Sequence, residues 1–255
     1  MGNNLLSKSL RIITNEGLFS FLKKVSYHII RPFLIPYAIR KLREGVSKIS
    51  KLEKLVNFVF EFKVDGLNIA PVQVKEEILE LLKILEKLKP KTILEIGTAN
   101  GGTLFLFCQV ADPNATIISI DLPGGKFGGG YPRWKIPLYK SFAKNNQKIH
   151  LLREDSHSPK TLEKVKAILK GKKLDFLFID GDHTYEGVKK DFEMYSKLVK
   201  KGGIIAFHDI VYHPFVPECQ VEKLWKEIKV LRRYETKEII SSHNQTWAGI
   251  GVIFV

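Results

Sequence analysis

The fold is decided by the segment Lys91-Thr92-Ile93-Leu94-Glu95-Ile96-Gly97-Thr98-Ala99-Asn100-Gly101-Gly102-Thr103. Its first half is apolar over the length of a buried strand, and its second half is a turn rich in glycine. The apolar run from Leu104 to Val110 that follows predicts a helix packed on the sheet. Backbone N–H groups at the start of such a helix have no partner within it, so they are available to a ligand. The segment therefore predicts an α/β domain that binds a nucleotide-like ligand at this turn.

Composition sets the size of the domain and the kind of partner. The chain has 255 residues, 44% of them hydrophobic, which is enough to bury one α/β core with an appendage. Its two cysteines, Cys108 and Cys219, lack the spacing of a metal site or a disulfide framework, which fits a reducing, cytoplasmic setting. The net charge of +14 favours anionic partners, although lysine-rich helices that only face water would give the same charge.

We divide the chain into a basic, mainly helical N-terminal region, residues 1–73, and a second domain, residues 74–255. Basic and aromatic residues are interleaved at residues 18–24, and this spacing suits an amphipathic helix. The apolar run at residues 29–37 is broken by Arg31 and two prolines and is too short to span a membrane. The region predicts either a helical cap on the domain or docking to a membrane surface, a lipid-linked substrate or a partner.

The sequence pattern of the second domain predicts seven strands that alternate with helices. A helix is expected from Val74 to Leu88, and a strand from Thr116 to Ile120 ends at Asp121. A carboxylate in that position can accept hydrogen bonds from both hydroxyls of a ribose. The next segment, Leu122 to Pro137, has five glycines together with Tyr131 and Trp134, a composition typical of a mobile lid over a ligand or of disorder.

Polar residues follow the later strands at the edge where parallel strands end. We expect strands at Ile149 to Leu152, before Asp155 and Ser156; at Leu174 to Ile179, before Asp180-Gly181-Asp182-His183; and at Ile204 to Phe207, before His208-Asp209. Ser158-Pro159 begins one helix, and Gly202-Gly203 ends another that starts at Tyr185 and runs to Lys200. A helix from Val221 to Arg233 and an antiparallel pair, Glu238 to Ser241 and Gly249 to Val255, complete the domain.

Three of these motifs together resemble the class I S-adenosylmethionine-dependent methyltransferases of the small O-methyltransferase group. They are Glu95-Ile96-Gly97 with Gly101 and then Asp121; Phe178-Ile179-Asp180-Gly181-Asp182-His183; and Gly202-Gly203-Ile204-Ile205-Ala206-Phe207-His208-Asp209. The similarity is greatest to the cephalosporin-cluster, macrolide-sugar and rhamnosyl O-methyltransferases. It implies a Rossmann-like seven-stranded sheet with an antiparallel last strand, S-adenosylmethionine as the cofactor, and a divalent metal, Mg²⁺ or Mn²⁺, beside the acceptor hydroxyl.

The resemblance also implies a role for each matching residue. Cofactor contacts would come from Glu95 and Gly97 at the methionine part, Asp121 at the ribose, Asp155 and Ser156 near the adenine, and Thr98, Asn100 and Gly101 in the turn. Asp180 and Asp209 match metal ligands, and His208 stands where the family usually has an acidic residue. Asp180 and His183 are the catalytic candidates, because an imidazole of pKa ~6.5 can take a hydroxyl proton at neutral pH. There are two alternatives. In one, His183 is a metal ligand or supports one; in the other, His208-Asp209 is a hydrogen-bonded strand end that holds no metal.

The acceptor and several other properties stay open. A hydroxyl of a sugar, a glycan or a small metabolite would need the same site, and a homo-oligomer is compatible with the sequence. The alternatives to methyl transfer are a Rossmann-type NAD-dependent oxidoreductase, disfavoured by Ala99 at the second glycine position, and a non-catalytic nucleotide-binding protein. Nucleic acid is disfavoured as a substrate because residues 180–183 lack the Pro-Pro of adenine methyltransferases.

Overall fold

The computed structural model describes residues 34–255, in which strands and helices alternate over most of the chain. The helices are α1 (residues 34–46), α2 (Leu52–Glu61), α3 (Lys75–Leu88), α4 (Gly102–Val110), α5 (Ile136–Lys140), α6 (Pro159–Leu169), α7 (Tyr185–Tyr195) and α8 (Val221–Val230). The strands are β1 (Lys63–Val64), β2 (Leu67–Asn68), β3 (Thr92–Ile96), β4 (Thr116–Ile120), β5 (Lys148–Leu152), β6 (Leu174–Ile179), β7 (Val199–His208), β8 (Glu235–Ile239) and β9 (Ile250–Phe254).

One sheet of seven strands organises the domain, in the order β5-β4-β3-β6-β7-β9-β8. β3 lies at its centre, parallel to β4 on one side and to β6 on the other. β9 runs antiparallel to both β7 and β8. The predicted seven-stranded sheet with an antiparallel last strand is therefore confirmed. β1 and β2 form a separate hairpin that the sequence did not predict.

Both faces of the sheet are covered, as the apolar parallel strands require. On one face Phe107 of α4 packs edge-on against Phe176 of β6, with ring centroids 5.1 Å apart. On the other face Val188 of α7 and Trp225 of α8 are buried against the sheet. Each fully buried aliphatic or aromatic side chain contributes about 1.5–3 kcal/mol through burial. The carboxyl ends of β3, β4, β5, β6 and β7 are thereby held at one edge of a rigid core.

The described part of the N-terminal region joins this core. α2 contacts α3 and α4, and Val56 and Val59 of α2 are fully buried. The division of the chain at residue 73 stays a prediction, and the expected amphipathic helix at residues 18–24 lies outside the described residues. Among residues 34–255, no helix is both long enough and apolar enough to cross a membrane.

Several predicted boundaries near the end of the chain are wrong. The helix expected to reach Lys200 ends at Tyr195, and Gly202-Gly203 lies inside β7 instead of ending that helix. Gly202 has a φ of 75°, and the β6–β7 register shifts beside it, so the glycines form an irregularity within the strand. α8 ends at Val230, and β8 lies a few residues before its expected position.

Candidate active site

The loops that follow β3, β4, β5 and β6 surround one cleft. Its wall includes Gly97 and Ala99 after β3, Asp121 after β4, Asp155, Ser156 and His157 after β5, and Asp180 after β6. The glycine-rich segment after β4 contributes Gly125, Lys126, Phe127, Gly128 and Gly130 to the same wall. The cleft thus lies at the carboxyl ends of the parallel strands, where open α/β sheets bind ligands.

The turn after β3 requires glycine for steric reasons. Gly97 has a φ of 94°, and a Cβ built on it would lie 1.9 Å from the backbone oxygen of Asp180. Gly101 has a φ of 86°, and its Cβ would meet the ring of Tyr139 at 2.7 Å. Glycine brings the β3 turn into direct contact with the loop after β6. A bulky residue at Gly97 would therefore displace Asp180 as well as any ligand at the turn.

Asp121 holds this turn through its carboxylate. Its Oδ2 accepts hydrogen bonds from the backbone N–H groups of Thr98, at 2.9 Å, and Ala99, at 2.7 Å. Ala99 has a φ of 43°, so a residue with a side chain occupies a left-handed position. Burial raises the pKa of Asp121, and the two N–H donors oppose that effect. The second oxygen, Oδ1, faces Gly130, where a Cβ would lie 2.7 Å away.

Four of the predicted cofactor residues lie behind the cleft wall. Glu95 is fully buried and accepts a hydrogen bond from Ser119 Oγ at 2.8 Å, while burial raises its pKa to about 8. Thr98 bonds to the same serine through its hydroxyl, and Asn100 Nδ2 donates to the oxygen of Ala70 at 3.3 Å. Gly101 packs against Tyr139. Direct ligand contacts by Glu95, Thr98, Asn100 and Gly101 stay predictions, since none of the four lines the cleft.

The wall after β5 has a feature that the sequence reading missed. Asp155 and Ser156 line the cleft as expected, and Asp155 Oδ1 accepts the N–H of His157 at 2.8 Å. His157 also lines the cleft, and its Nε2 lies 3.3 Å from the fully buried carboxylate of Asp191 on α7. Burial raises the pKa of Asp191, whereas the nearby Asp191 carboxylate is the main cause that raises the pKa of His157. This pair connects the β5 loop to α7.

Two carboxylates and three imidazoles meet where β6 and β7 end. Asp180 Oδ1 lies 3.1 Å from His208 Nδ1 and 3.4 Å from His183 Nε2. Asp209 Oδ2 lies 2.9 Å from His183 Nδ1, and Asp209 Oδ1 lies 2.9 Å from His213 Nε2. We refer to Asp180, His183, His208, Asp209 and His213 as the His–Asp cluster. The structure thus brings together the four predicted residues and adds His213.

The charges of the His–Asp cluster are mutually dependent. Burial alone would lower the pKa of His208, but the charges of Asp180 and Asp209 outweigh it and raise this pKa to about 10. Burial also opposes protonation of His183, yet its hydrogen bonds to both carboxylates raise its pKa well above the usual value. The pKa of Asp209 is lowered although burial acts in the opposite direction, chiefly because of the charge of His208. Without a bound cation, the two carboxylates therefore favour the protonated form of both imidazoles.

The donor atoms of the cluster suit a divalent cation. One oxygen each from Asp180 and Asp209 and one nitrogen of His208 lie within 4.8 Å of one another. His208 Nε2 and Gln73 Oε1 are buried and have no hydrogen-bond partner among the described residues. Gln73, which comes from the segment before α3, donates through Nε2 to Asp180 Oδ2 at 2.7 Å. A cation would replace the positive charge that two imidazolium groups supply here, so the residues fit a metal site.

The glycine-rich segment covers the cluster. The ring of Phe127 stacks on His183, with centroids 4.8 Å apart and planes 7° from parallel. Lys126 Nζ lies 3.6 Å from Glu218 Oε1, on the segment before α8. Tyr131, one of the two aromatic residues expected at the lid, is instead buried against Tyr139. Phe127 was missed because nothing local in the sequence distinguishes it from the neighbouring residues.

Comparison with known proteins agrees with this geometry. Residues 94–210 match a family model described as a methyltransferase domain. An uncharacterized protein of Acanthamoeba polyphaga mimivirus is 32% identical over 147 residues, which are 54% of this chain and 61% of that protein. The chain spans between 16% and 66% of the length of the curated relatives it matches.

Two solved structures share the fold. An O-methyltransferase from Bacillus cereus, solved in complex with SAH, superposes with a TM-score of 0.53 at 14% identity, covering 83% of this chain and 94% of that chain. CalS11, described as a TDP-rhamnose 3′-O-methyltransferase of calicheamicin biosynthesis, gives a TM-score of 0.53 at 16% identity, covering 86% of this chain and 93% of that chain. The predicted class I methyltransferase fold is confirmed.

Proposed function

Since residues 94–210 carry a methyltransferase domain, we propose that the protein is an S-adenosylmethionine-dependent O-methyltransferase whose acceptor is a hydroxyl of a sugar or a small metabolite. One observation carries the proposal. The His–Asp cluster, which can hold a cation and a base, lies beside the cleft that begins at the glycine turn. A methyl donor in the cleft and a hydroxyl at the cluster would then be neighbours. Alignment of two reactants is a large part of what an enzyme contributes to such a displacement.

The cleft suits the cofactor in shape and polarity. Gly97 and Gly130 let neighbouring segments of the wall approach each other closely, and Asp121 keeps one carboxylate oxygen, Oδ1, beside Gly130 for a ribose hydroxyl. Ser156 and His157 would lie at the adenine end. S-adenosylmethionine supplies a methyl group on an already activated sulfonium. The chain must then bind the cofactor, exclude water with the segment that carries Phe127, and make the acceptor nucleophilic.

The His–Asp cluster would provide that activation. Asp180, Asp209 and His208 would hold a divalent cation, which lowers the pKa of a hydroxyl bound to it. A cation held there would also offset the carboxylate charge that raises the pKa of His183. His183 can then be neutral near pH 7 and take the hydroxyl proton. A bound cation would thus lower the pKa of the acceptor hydroxyl and also favour the neutral form of His183, which can then act as the base.

A sugar is favoured as the acceptor by the surroundings of the cluster. Three exposed aromatic residues lie close in sequence to groups of the cluster: Tyr212 and Phe215 flank His213, and Trp247 precedes Ala248, whose N–H donates to His213 Nε2 at 3.1 Å. Exposed aromatic rings at a site supply flat apolar faces for a ligand, and the ring of a sugar presents such a face. CalS11, which shares the fold, is described as acting on a rhamnose.

Two measurements test the proposal. Calorimetric titration of the protein with S-adenosylmethionine and, separately, with NAD should give binding of the first alone. Transfer of a labelled methyl group from S-adenosylmethionine to nucleotide-linked sugars, glycans and small hydroxylated metabolites should then identify the acceptor. Binding of NAD without S-adenosylmethionine would reject the proposal in favour of a nicotinamide-dependent enzyme.

Docking of residues 18–24 to a membrane surface or partner stays a prediction, testable by sedimentation with anionic vesicles at low and high salt.

A further inference from the structure

Cys219 lies beside the His–Asp cluster, although its spacing in the sequence predicts no metal site. Its Sγ is 4.0 Å from His183 Nδ1, and that nitrogen is 2.9 Å from Asp209 Oδ2. The donor atoms of Cys219, His183 and Asp209 all lie within 4.8 Å of one another. The thiol is buried, with Cys219 only 4% exposed, and its backbone N–H donates to the oxygen of Val216 at 2.9 Å. A sulfur, a nitrogen and an oxygen donor are therefore close enough together to share one ion.

Sulfur and nitrogen donors bind a softer ion, such as Zn²⁺, than the Mg²⁺ that a site made mainly of oxygen donors binds. In tetrahedral zinc sites the metal lies ~2.3 Å from sulfur and ~2.0–2.2 Å from nitrogen and oxygen, so the donors are roughly 3.3–3.6 Å apart. The S–N separation of 4.0 Å is slightly longer than that range and the N–O separation of 2.9 Å slightly shorter, so small side-chain rotations would reach it. Thiolate and imidazole donors favour Zn²⁺, whereas Mg²⁺ prefers oxygen ligands and a nearly octahedral shell.

We propose that His183, Asp209 and Cys219 form a second metal site, for a thiophilic divalent ion such as Zn²⁺, that shares Asp209 with the Asp180–His208–Asp209 group. On binding, the Cys219 thiol and the His183 imidazolium each lose a proton to the solvent, and water completes the fourth position. Because Asp209 is common to both groups, an ion at the second site competes with one at the first.

The second site would make zinc an inhibitor of the enzyme. With Nδ1 of His183 bound to the ion and Nε2 protonated and directed to Asp180, the ring has no lone pair left to accept a proton. Asp209 would be lost to the activating cation as well. This inhibitory consequence rests on the proposed function of His183 as the base, whereas the site itself rests only on the three donors.

Co²⁺ provides a test that needs no catalytic activity. Added to the metal-free, full-length protein in the presence of excess Mg²⁺, Co²⁺ should give a thiolate-to-cobalt charge-transfer band in the near ultraviolet, and Zn²⁺ should displace it. Cys219→Ser should lose the band and bind Zn²⁺ about tenfold or more weakly. Cys108→Ala is the matched control, because Cys108 is the other cysteine and lies fully buried in α4. This variant should keep both the band and the zinc affinity.

Absence of the band in the unmodified protein, or its persistence in Cys219→Ser with an unchanged circular dichroism spectrum, would overturn the second site. If the band depends on Cys219 but Zn²⁺ does not inhibit labelled methyl transfer at saturating Mg²⁺, the site stands and its inhibitory role is rejected. If the protein transfers no methyl group to any acceptor, the proposed function fails, and the cobalt spectrum still decides whether the second site exists.

Discussion

The two ends of the cleft hold their carboxylates with different kinds of hydrogen-bond donor. At the β3 turn, one carboxylate, Asp121, is held by the backbone N–H groups of Thr98 and Ala99. At the ends of β6 and β7, the carboxylates of Asp180 and Asp209 are held by imidazoles whose own charge depends on them. Backbone N–H groups do not titrate, so the donors at the first end keep their protonation at any pH, and only the carboxyl groups of Asp121 and Glu95 can change charge there. The second end changes its charge with pH and with bound cations, as a site of proton transfer must.

The largest expected effect lies at the titrating end, in His183→Ala. Turnover should fall about 100- to 10,000-fold, because a positioned general base contributes a factor of that order. The affinity for S-adenosylmethionine, measured by calorimetry, should stay within a factor of about two, since His183 touches the cluster and not the glycine turn. His243→Ala, in the exposed loop after β8, is the control and should leave turnover unchanged. Full turnover in His183→Ala would remove the base from the mechanism.

The same comparison explains what the sequence predicted well and what it did not. The glycine turn, β3 and Asp121 were predicted because strand periodicity and glycine spacing are local signals. Gln73, Phe127 and Cys219 were missed because each reaches the cluster from another segment of the chain. His213 was missed although it lies only four residues after Asp209, because it belongs to an irregular loop without a local signature. Their contacts depend on tertiary packing, which one sequence does not record. Gly202-Gly203 was misread because glycines that end a helix and glycines that distort a strand have the same local signature.

The protonation of His208 should make the stability of the metal-free protein fall in alkaline solution. The pKa of His208 is about 10 in the folded state, against about 6.5 in an unfolded chain. A group whose pKa is raised on folding stabilises the fold fully below the unfolded pKa, and this contribution is lost as the pH rises through the folded pKa. The free energy of unfolding should therefore decrease by up to a few kcal/mol between about pH 6.5 and 10.

Thermal unfolding followed by circular dichroism measures this effect, as a decrease of several degrees in Tm across that range. His208→Gln should make the profile less steep, because the glutamine amide does not titrate, and the remaining slope should come from His183, whose pKa is also raised. A saturating divalent cation should flatten it too, since it replaces the imidazolium charge. A profile in His208→Gln that falls as steeply as in the unmodified protein would assign the pH dependence to another group.

A smaller effect is expected at the β3 end of the cleft, in Asp121→Asn. The amide keeps the shape of the side chain, but its oxygen accepts hydrogen bonds from Thr98 and Ala99 less strongly than a carboxylate does. It also loses the charge that would face a ribose. The affinity for S-adenosylmethionine should fall about tenfold, measured by calorimetry, with the Tm profile against pH retained. Asp112→Asn, between α4 and β4, is the control and should bind as the unmodified protein does.

The smallest effect tests how rigid the turn is, in Ala99→Gly. Ala99 has a φ of 43°, and a side chain in the left-handed region costs about 1–2 kcal/mol, whereas glycine loses about 0.5–1 kcal/mol through the freedom of the unfolded chain. Ala99→Gly should therefore stabilise the fold by about 0.5–1 kcal/mol, seen as a small rise in Tm. Ala167→Gly, at an exposed position inside α6, is the matched control and should destabilise it by a similar amount. If both substitutions lower Tm, the Ala99 position is not strained, and the backbone bonds to Asp121 alone set the shape of the turn.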